Sequence, residues 1–250
     1  MAREAMLDAL VLRCRDYKEN DKLVTIFSAA EGKETLLARG ARKPDGSLRP
    51  LAQPFSRESV QKVAGRGSLD ILTQGEIIEP FLPIKADLNK IAYAAYLAEL
   101  VIIALPENKP QPQVYASLLA AWSMLSLSER HAQAARFMEL RLLDALGLRP
   151  YLDGCRACGR SLEGGSFYLS PGRGGIICRA CRGSDSGIIS AGTVRNMQRL
   201  LDAPLTRVPQ LAISEAMLQE MELALTPYLR YHLEGSGRAR EFLRRLENEQ

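Results

Sequence analysis

Four cysteines in two matched pairs, Cys155 with Cys158 and Cys178 with Cys181, set the tightest limit on what this chain can fold into. Each pair reads C-x2-C, and nineteen residues separate the pairs. A two-residue gap lets both thiolates of a pair turn inward onto one ion, and the second pair completes the tetrahedron that Zn²⁺ prefers. Gly154, Gly159, Gly164, Gly165, Gly172, Gly174, Gly175 and Gly183 supply turn residues around them. Four thiolates leave no coordination position for water, so the spacing predicts one structural zinc rather than a catalytic one. Two disulfides are the alternative, and they need an oxidising compartment. No apolar stretch before a small-residue cleavage site opens the chain, so a cytoplasmic protein, and hence zinc, is expected.

The remaining sequence divides by period. Leu7–Cys14, Lys22–Ala29, Lys33–Gly40, Ser59–Ala64 and Leu69–Ile78 are short and rich in Val, Ile, Leu and Thr, with Gly, Asp and Pro clusters between them. Five such strands predict a small closed barrel of the OB type over residues 1–80, with an SH3-like barrel as the other solution. Beyond Pro83 the period becomes helical. Leu88, Ile91, Ala95, Ala98, Ile102 and Leu105 fall on one face, with Asp87 as N-cap. Val114, Leu118, Ala121 and Leu125 make a second stripe, and a third helix runs from Glu129 to Leu146, stopped by Gly147. After the cysteines, Val194, Met197 and Leu201 mark one helix and Leu218, Met221 and Leu225 another, bent or ended near Pro227. A last helix carries Phe242 and Leu246. The expected organisation is thus α+β: an OB-type barrel (1–80), a helical domain (84–147 and 188–250) and a zinc lobe (148–187) inserted in it. The most apolar run, Ile91–Leu105, is too short to span a membrane and reads as a buried helix.

Charge is unevenly placed. The formal net charge is only +4, and residues 84–146 balance six basic against six acidic side chains. Residues 32–67 carry eight basic residues against Glu34, Asp45 and Glu58, and residues 147–183 carry six arginines against two acids. Arg39-Gly40-Ala41-Arg42-Lys43-Pro44 opens a long loop between two barrel strands. Such a loop is either a solvated, flexible surface loop or a phosphate-binding one. On an OB barrel, which commonly grips single strands, the balance moves towards nucleic acid. The expected phosphate contacts are Arg39, Arg42 and Lys43, supported by Arg49 and Lys33. Tyr17, Phe27 and Phe55 are the barrel's only aromatics, which favours backbone binding over sequence readout.

No phosphate-binding P-loop, dinucleotide fingerprint or nucleophile elbow is present. Both histidines, His131 and His232, fall in helical pattern, Cys14 reads as a buried thiol and Trp122 as core. No catalytic constellation emerges. The function classes left are a DNA-binding protein, a zinc-ribbon adaptor acting through protein contacts, and a nucleic-acid enzyme with an unrecognised site.

Several segments resemble the bacterial recombination mediator family RecO. Ala9–Arg13 and Arg15–Thr25 resemble its first hairpin, Ala38–Lys43 its basic motif, with Leu51, Gln53, Pro54 and Phe55 following. Leu72–Glu76 resembles its last barrel strand and Leu229–Leu233 its C-terminal helix. One departure is Arg238-Ala239-Arg240, where many relatives carry Leu-Lys-Ser-Arg. The resemblance implies a non-enzymatic cytoplasmic protein that binds single- and double-stranded DNA and anneals complementary strands. It also implies cooperation with RecR, loading of RecA, and contact with the acidic, Phe-ended C-terminal tail of single-strand-binding protein. Arg136, placed before Phe137, resembles the arginine at the rim of the tail pocket. Arg141 is expected to assist it and Leu142 to floor the pocket, the plainer option being a core helix with solvated arginines.

Overall fold

The computed structural model describes residues 6–65, 67–161, 165–183, 187–233, 241 and 243. Arg66, Gly164, Arg238–Arg240 and the expected helix at Phe242 and Leu246 lie outside or mostly outside these. The chain forms two compact units, residues 1–127 and 128–250.

The first unit is built on a closed five-stranded barrel: β1 (Leu7–Tyr17), β2 (Asp21–Ser28), β3 (Gly32–Ala38), β4 (Arg57–Val63) and β5 (Asp70–Glu79). The strand order is β1-β2-β3-β5-β4, closed by β1 pairing with β4. All pairings are antiparallel except β3 with β5. This is the OB arrangement, which resolves the choice between barrel types. Alternate residues Leu7, Ala9 and Val11 of β1 point into a core shared with Val24, Ile26, Leu36, Ala38, Val60 and Leu72. The other face of the β1–β2 hairpin is buried too, because helices cover it. Leu10 and Phe27 are fully buried, and Phe27 meets Tyr115 of a covering helix edge-to-face at 5.9 Å.

Those helices are α1 (Leu82–Lys85), α2 (Leu88–Ala104) and α3 (Pro112–Leu127). Asp87 caps α2 as expected, accepting a hydrogen bond from the Lys90 backbone N–H. The buried face of α2 matches the expected one only in part. Of the expected stripe Ala98 and Leu105 are buried, Ile91, Ala95 and Ile102 half-buried and Leu88 exposed, whereas Ala92, Tyr93, Tyr96, Leu97, Leu100 and Val101 are buried as well. The helix is apolar nearly all round, so periodicity could not choose a face. In α3 the expected stripe Val114, Leu118, Ala121 and Leu125 is buried, and Trp122 packs edge-on against Phe55 and Phe81. Because these helices wrap the barrel, compactness divides the chain after Leu127, not near residue 80.

The second unit holds α4 (His131–Ala145), a three-stranded sheet ordered β7-β6-β8 (β6 Ser166–Ser170, β7 Gly175–Cys178, β8 Gly187–Ser190), α5 (Ala191–Asp202) and α6 (Glu215–His232). Gly147, with φ of 73°, ends α4 in the left-handed conformation that glycine adopts freely. Ser190 and Ser214 cap α5 and α6. Pro227 does not end α6, which continues five residues further to His232. The bond it forfeits is to the carbonyl of Leu223, a residue on the exposed face, where water can replace it.

Candidate nucleic-acid interface and cysteine centre

The 39–56 segment is an ordered structure rather than a free loop. Successive turns close it through Lys43 N–H to Gly40 O, Gly46 N–H to Lys43 O and Arg49 N–H to Gly46 O. Ala41, Leu48, Leu51 and Ala52 join the barrel core and plug it. The β1–β2 turn braces its other side: Asp21 accepts from Gly40 N–H at 2.9 Å, and Asn20 O accepts from Arg42 N–H at 3.0 Å. Gly46 is required, since a Cβ there would lie 2.2 Å from Gly40 O.

This scaffold sorts the cations of the barrel. Arg57 forms a two-pronged pair with Asp8, at 3.0 and 2.6 Å, and Tyr115 also donates to Asp8. That pairing holds the Asp8 carboxyl below its ordinary range. Lys62 sits among Glu31, Glu34 and Asp70. Lys33, an expected phosphate contact, is a correction: it is 7% exposed and its ammonium donates to Ile102 O at 2.6 Å. Desolvation lowers its pKa, and the β3 position that looked solvent-facing is covered by the chain near Glu107 and Asn108. Of the described cations in residues 32–67, Arg39, Arg42, Lys43 and Arg49 stay exposed. Arg42 donates to Lys18 O and lies 3.4 Å from Asp16, and Arg49 donates to Pro44 O. Arg39 and Lys43 form no ion pair with a described residue. The braced loop thus presents four exposed cations, with Arg15 and Lys18 also exposed on the adjoining β1–β2 hairpin.

The cysteines come from two knuckles. In the first, Gly159 turns with φ of 74° and its N–H donates to Cys155 O, while Cys155 N–H bonds Arg160 O. In the second, Cys178 ends β7 and Cys181 closes a short 3₁₀ turn. All four sulphurs lie within 4.8 Å of one another, and Cys158 Sγ is 3.8 Å from Cys178 Sγ. Zn–S bonds of about 2.3 Å in a tetrahedron require sulphurs about 3.8 Å apart, so the donor set fits that ion. Burial opposes ionisation of Cys155, but N–H groups of Cys178, Cys158 and Ala157 outweigh it and hold the thiol down at about 6. Its neighbour Cys181 is pushed up to about 12, chiefly by hydrogen bonding with Cys178 and Cys158. Thiols packed this closely cannot all ionise without a cation among them.

The three residues expected to hold a partner's tail serve the interior of α4. Arg136 is 1% exposed, bonded to Glu139 at 2.9 Å and facing Glu222 at 3.1 Å. Leu142 is fully buried. Arg141 is half-buried over the Phe137 ring and donates to Leu200 O and Ala203 O. A rim cation and an open pocket floor therefore do not stand ready here, because burial and carboxylate pairing have absorbed the charge. Arg136→Glu would gather three carboxyl groups in the interior. It is expected to cost about 3–5 kcal/mol of stability, seen as a lowered thermal unfolding midpoint. An unchanged midpoint would place the guanidinium at the surface after all.

Sequence comparison agrees with this architecture. The family model "Recombination protein O N terminal" matches residues 1–81, and "Recombination protein O C terminal" matches residues 85–241. The chain is 35% identical to DNA repair protein RecO of Symbiobacterium thermophilum over 242 residues, 95% of each chain. It is 33% identical to the protein of that name from Desulforamulus reducens, covering 96% of this chain and 94% of the relative. With that from Desulforudis audaxviator it shares 31% over 98% of each. Among the described residues no helix is long and apolar enough to cross a membrane. An OB barrel with one braced basic loop, a four-cysteine lobe in a helical unit, and both family models matched in order lead to one conclusion: the chain belongs to the RecO family of DNA repair proteins.

Proposed function

We propose that this protein is a non-enzymatic recombination mediator. It binds single- and double-stranded DNA, anneals complementary strands, and with RecR helps load RecA onto strands covered by single-strand-binding protein. The observation that supports this best is the loop of Arg39, Arg42, Lys43 and Arg49, exposed on an OB barrel whose other described cations from the same stretch are taken up by the fold. Cations on a rigid backbone neutralise phosphates without reading bases, which suits a protein that must accept any strand. Cys155, Cys158, Cys178 and Cys181 hold one structural Zn²⁺ that fixes the lobe. The tail of single-strand-binding protein remains a partner in this proposal, with its pocket elsewhere than on the buried Arg136 and Leu142. The working place is the cytoplasm, at the nucleoid.

The test is binding of single- and double-stranded oligonucleotides by fluorescence anisotropy across a salt series, with strand integrity followed in parallel. Binding that weakens steeply with salt and leaves the strands intact is expected. Salt-insensitive or absent binding would favour the zinc-ribbon adaptor, and strand cleavage an enzyme.

A further inference from the structure

The cysteine lobe carries a cleft that neither the metal site nor the barrel loop explains. The segment around Tyr151 runs beside β7: Tyr151 N–H donates to Gly174 O at 3.0 Å, and Ile176 N–H to Tyr151 O at 2.9 Å. Gly175 permits this approach, since a Cβ there would lie 2.6 Å from Tyr151 O. The backbone is thus pinned while Tyr151 as a residue stays 40% exposed. The Arg156 guanidinium lies over that ring, 5.3 Å from its centroid. Both face a cleft of about 320 Å³ whose other walls include Gly174, Gln198 and Asp202. That volume is at the small end for ligand clefts, roughly 300–1,000 Å³, and suits a single planar group.

Chemistry narrows the occupant. The Gln198 amide is fixed by donating to Leu152 O and Asp153 Oδ1, and Arg149 is held by Asp202 at 2.7 Å. These groups offer both donors and acceptors, but the two carboxylates would repel a phosphate placed inside. At the rim the balance reverses. Arg156, and Arg173 beside the wall residue Gly174, are exposed and form no ion pair with a described residue. Arg160, Arg179 and Arg182 are exposed elsewhere in the lobe, Arg182 lying over the Tyr168 ring at 4.6 Å. An exposed aromatic–arginine pair, a polar interior and a cationic rim are the parts of a site that stacks a base and holds its phosphates outside.

We propose that this cleft binds one unstacked base of a single DNA strand against the Tyr151–Arg156 pair, with the flanking phosphates at Arg156 and Arg173. The proposal rests on the DNA-binding function inferred above and adds a second contact, selective for single strands, on the cysteine lobe. A duplex keeps its bases stacked and cannot use it.

The experiment is photo-cross-linking of the full-length, zinc-loaded protein to a single strand bearing 5-iododeoxyuridine, with the adduct mapped by mass spectrometry. An adduct at Tyr151 is expected, absent when the same base is paired in a duplex. Tyr151→Ala should weaken single-strand binding about 5- to 150-fold, as loss of one stacked base does. It should leave duplex binding unchanged, and Tyr151→Phe should retain single-strand affinity. Zinc content is measured for each variant, and if Tyr151→Ala loses its metal the wild-type adduct decides. Adducts confined to the barrel, or single-strand affinity insensitive to Tyr151→Ala in zinc-loaded protein, overturn the proposal. Loss of binding on removing Arg39, Arg42 and Lys43 without any Tyr151 effect leaves the DNA-binding function standing and sinks only this site. A wild type that binds no DNA sinks both.

Discussion

Wild-type protein is expected to hold about one zinc per chain and Cys155→Ser protein well under one, with the 148–187 lobe loosened around its knuckles. The two cysteine knuckles have little else to hold them, although β6 and β7 also bury Phe167, Leu169 and Ile176. The buried cluster around the knuckles consists of Tyr168 and Ile177 with Cys155 and Cys178, and Cys181 packed against them. So small a cluster cannot offset the entropy of ordering the knuckles, whereas structural zinc sites contribute about 10–16 kcal/mol of apparent binding energy near pH 7. Elemental analysis and limited proteolysis read the result: rapid cleavage within the lobe, with the barrel unit resistant. A chelator should do the same to the wild type. Zinc-free wild type that keeps a protease-resistant lobe, or two disulfides after reducing purification, would contradict the assignment. The geometry favours the metal, since Cys158 and Cys178 are 3.8 Å apart, a tetrahedron's edge rather than a bond.

The second large effect is expected from Arg39→Ala, Arg42→Ala and Lys43→Ala combined. Each lost phosphate contact should lower the slope of log K against log salt by about 0.7 on single strands, so the three together by about 2. Affinity should fall about equally for all sequences. The variant should fold normally, because the loop is pinned by backbone bonds and by Leu48 and Leu51, and the Arg42 pairing with Asp16 is exposed and weak. Lys33→Ala is the informative contrast. It removes a buried ammonium from Ile102 O and should change stability more than the salt slope. An unchanged slope in the triple variant would move the main DNA contact to the arginines of the cysteine lobe.

How much of this was legible in the sequence depended on how local the signal is. The barrel strands announced themselves through short runs of β-branched and aliphatic residues between turn residues, and each observed strand lies within a few residues of its expected place. The cysteine cluster was legible because ligand spacing is a local property. The parallel pairing of β3 with β5 joins residues more than thirty apart, for which no pattern exists along the chain. Burial of charge was the chief blind spot. Lys33 and Arg136 look like solvated cations until the segments covering them are known. Glu139, three residues after Arg136, was the available hint, since that spacing places both on one helix face. The face of α2 was undecidable for the opposite reason, with too many apolar residues rather than too few. The Tyr151–Arg156 pair had no sequence signal, because Gly175 and the β7 edge create it.

The proposed function requires this chain to pair DNA strands that other proteins keep apart, without chemistry of its own. Annealing of complementary strands pre-coated with single-strand-binding protein, followed by fluorescence transfer with and without RecR and with no nucleotide present, tests it most directly. Accelerated pairing that is lost in the Arg39, Arg42 and Lys43 triple variant is the predicted result. Pairing no faster than in the protein's absence, on coated and bare strands alike, would contradict it.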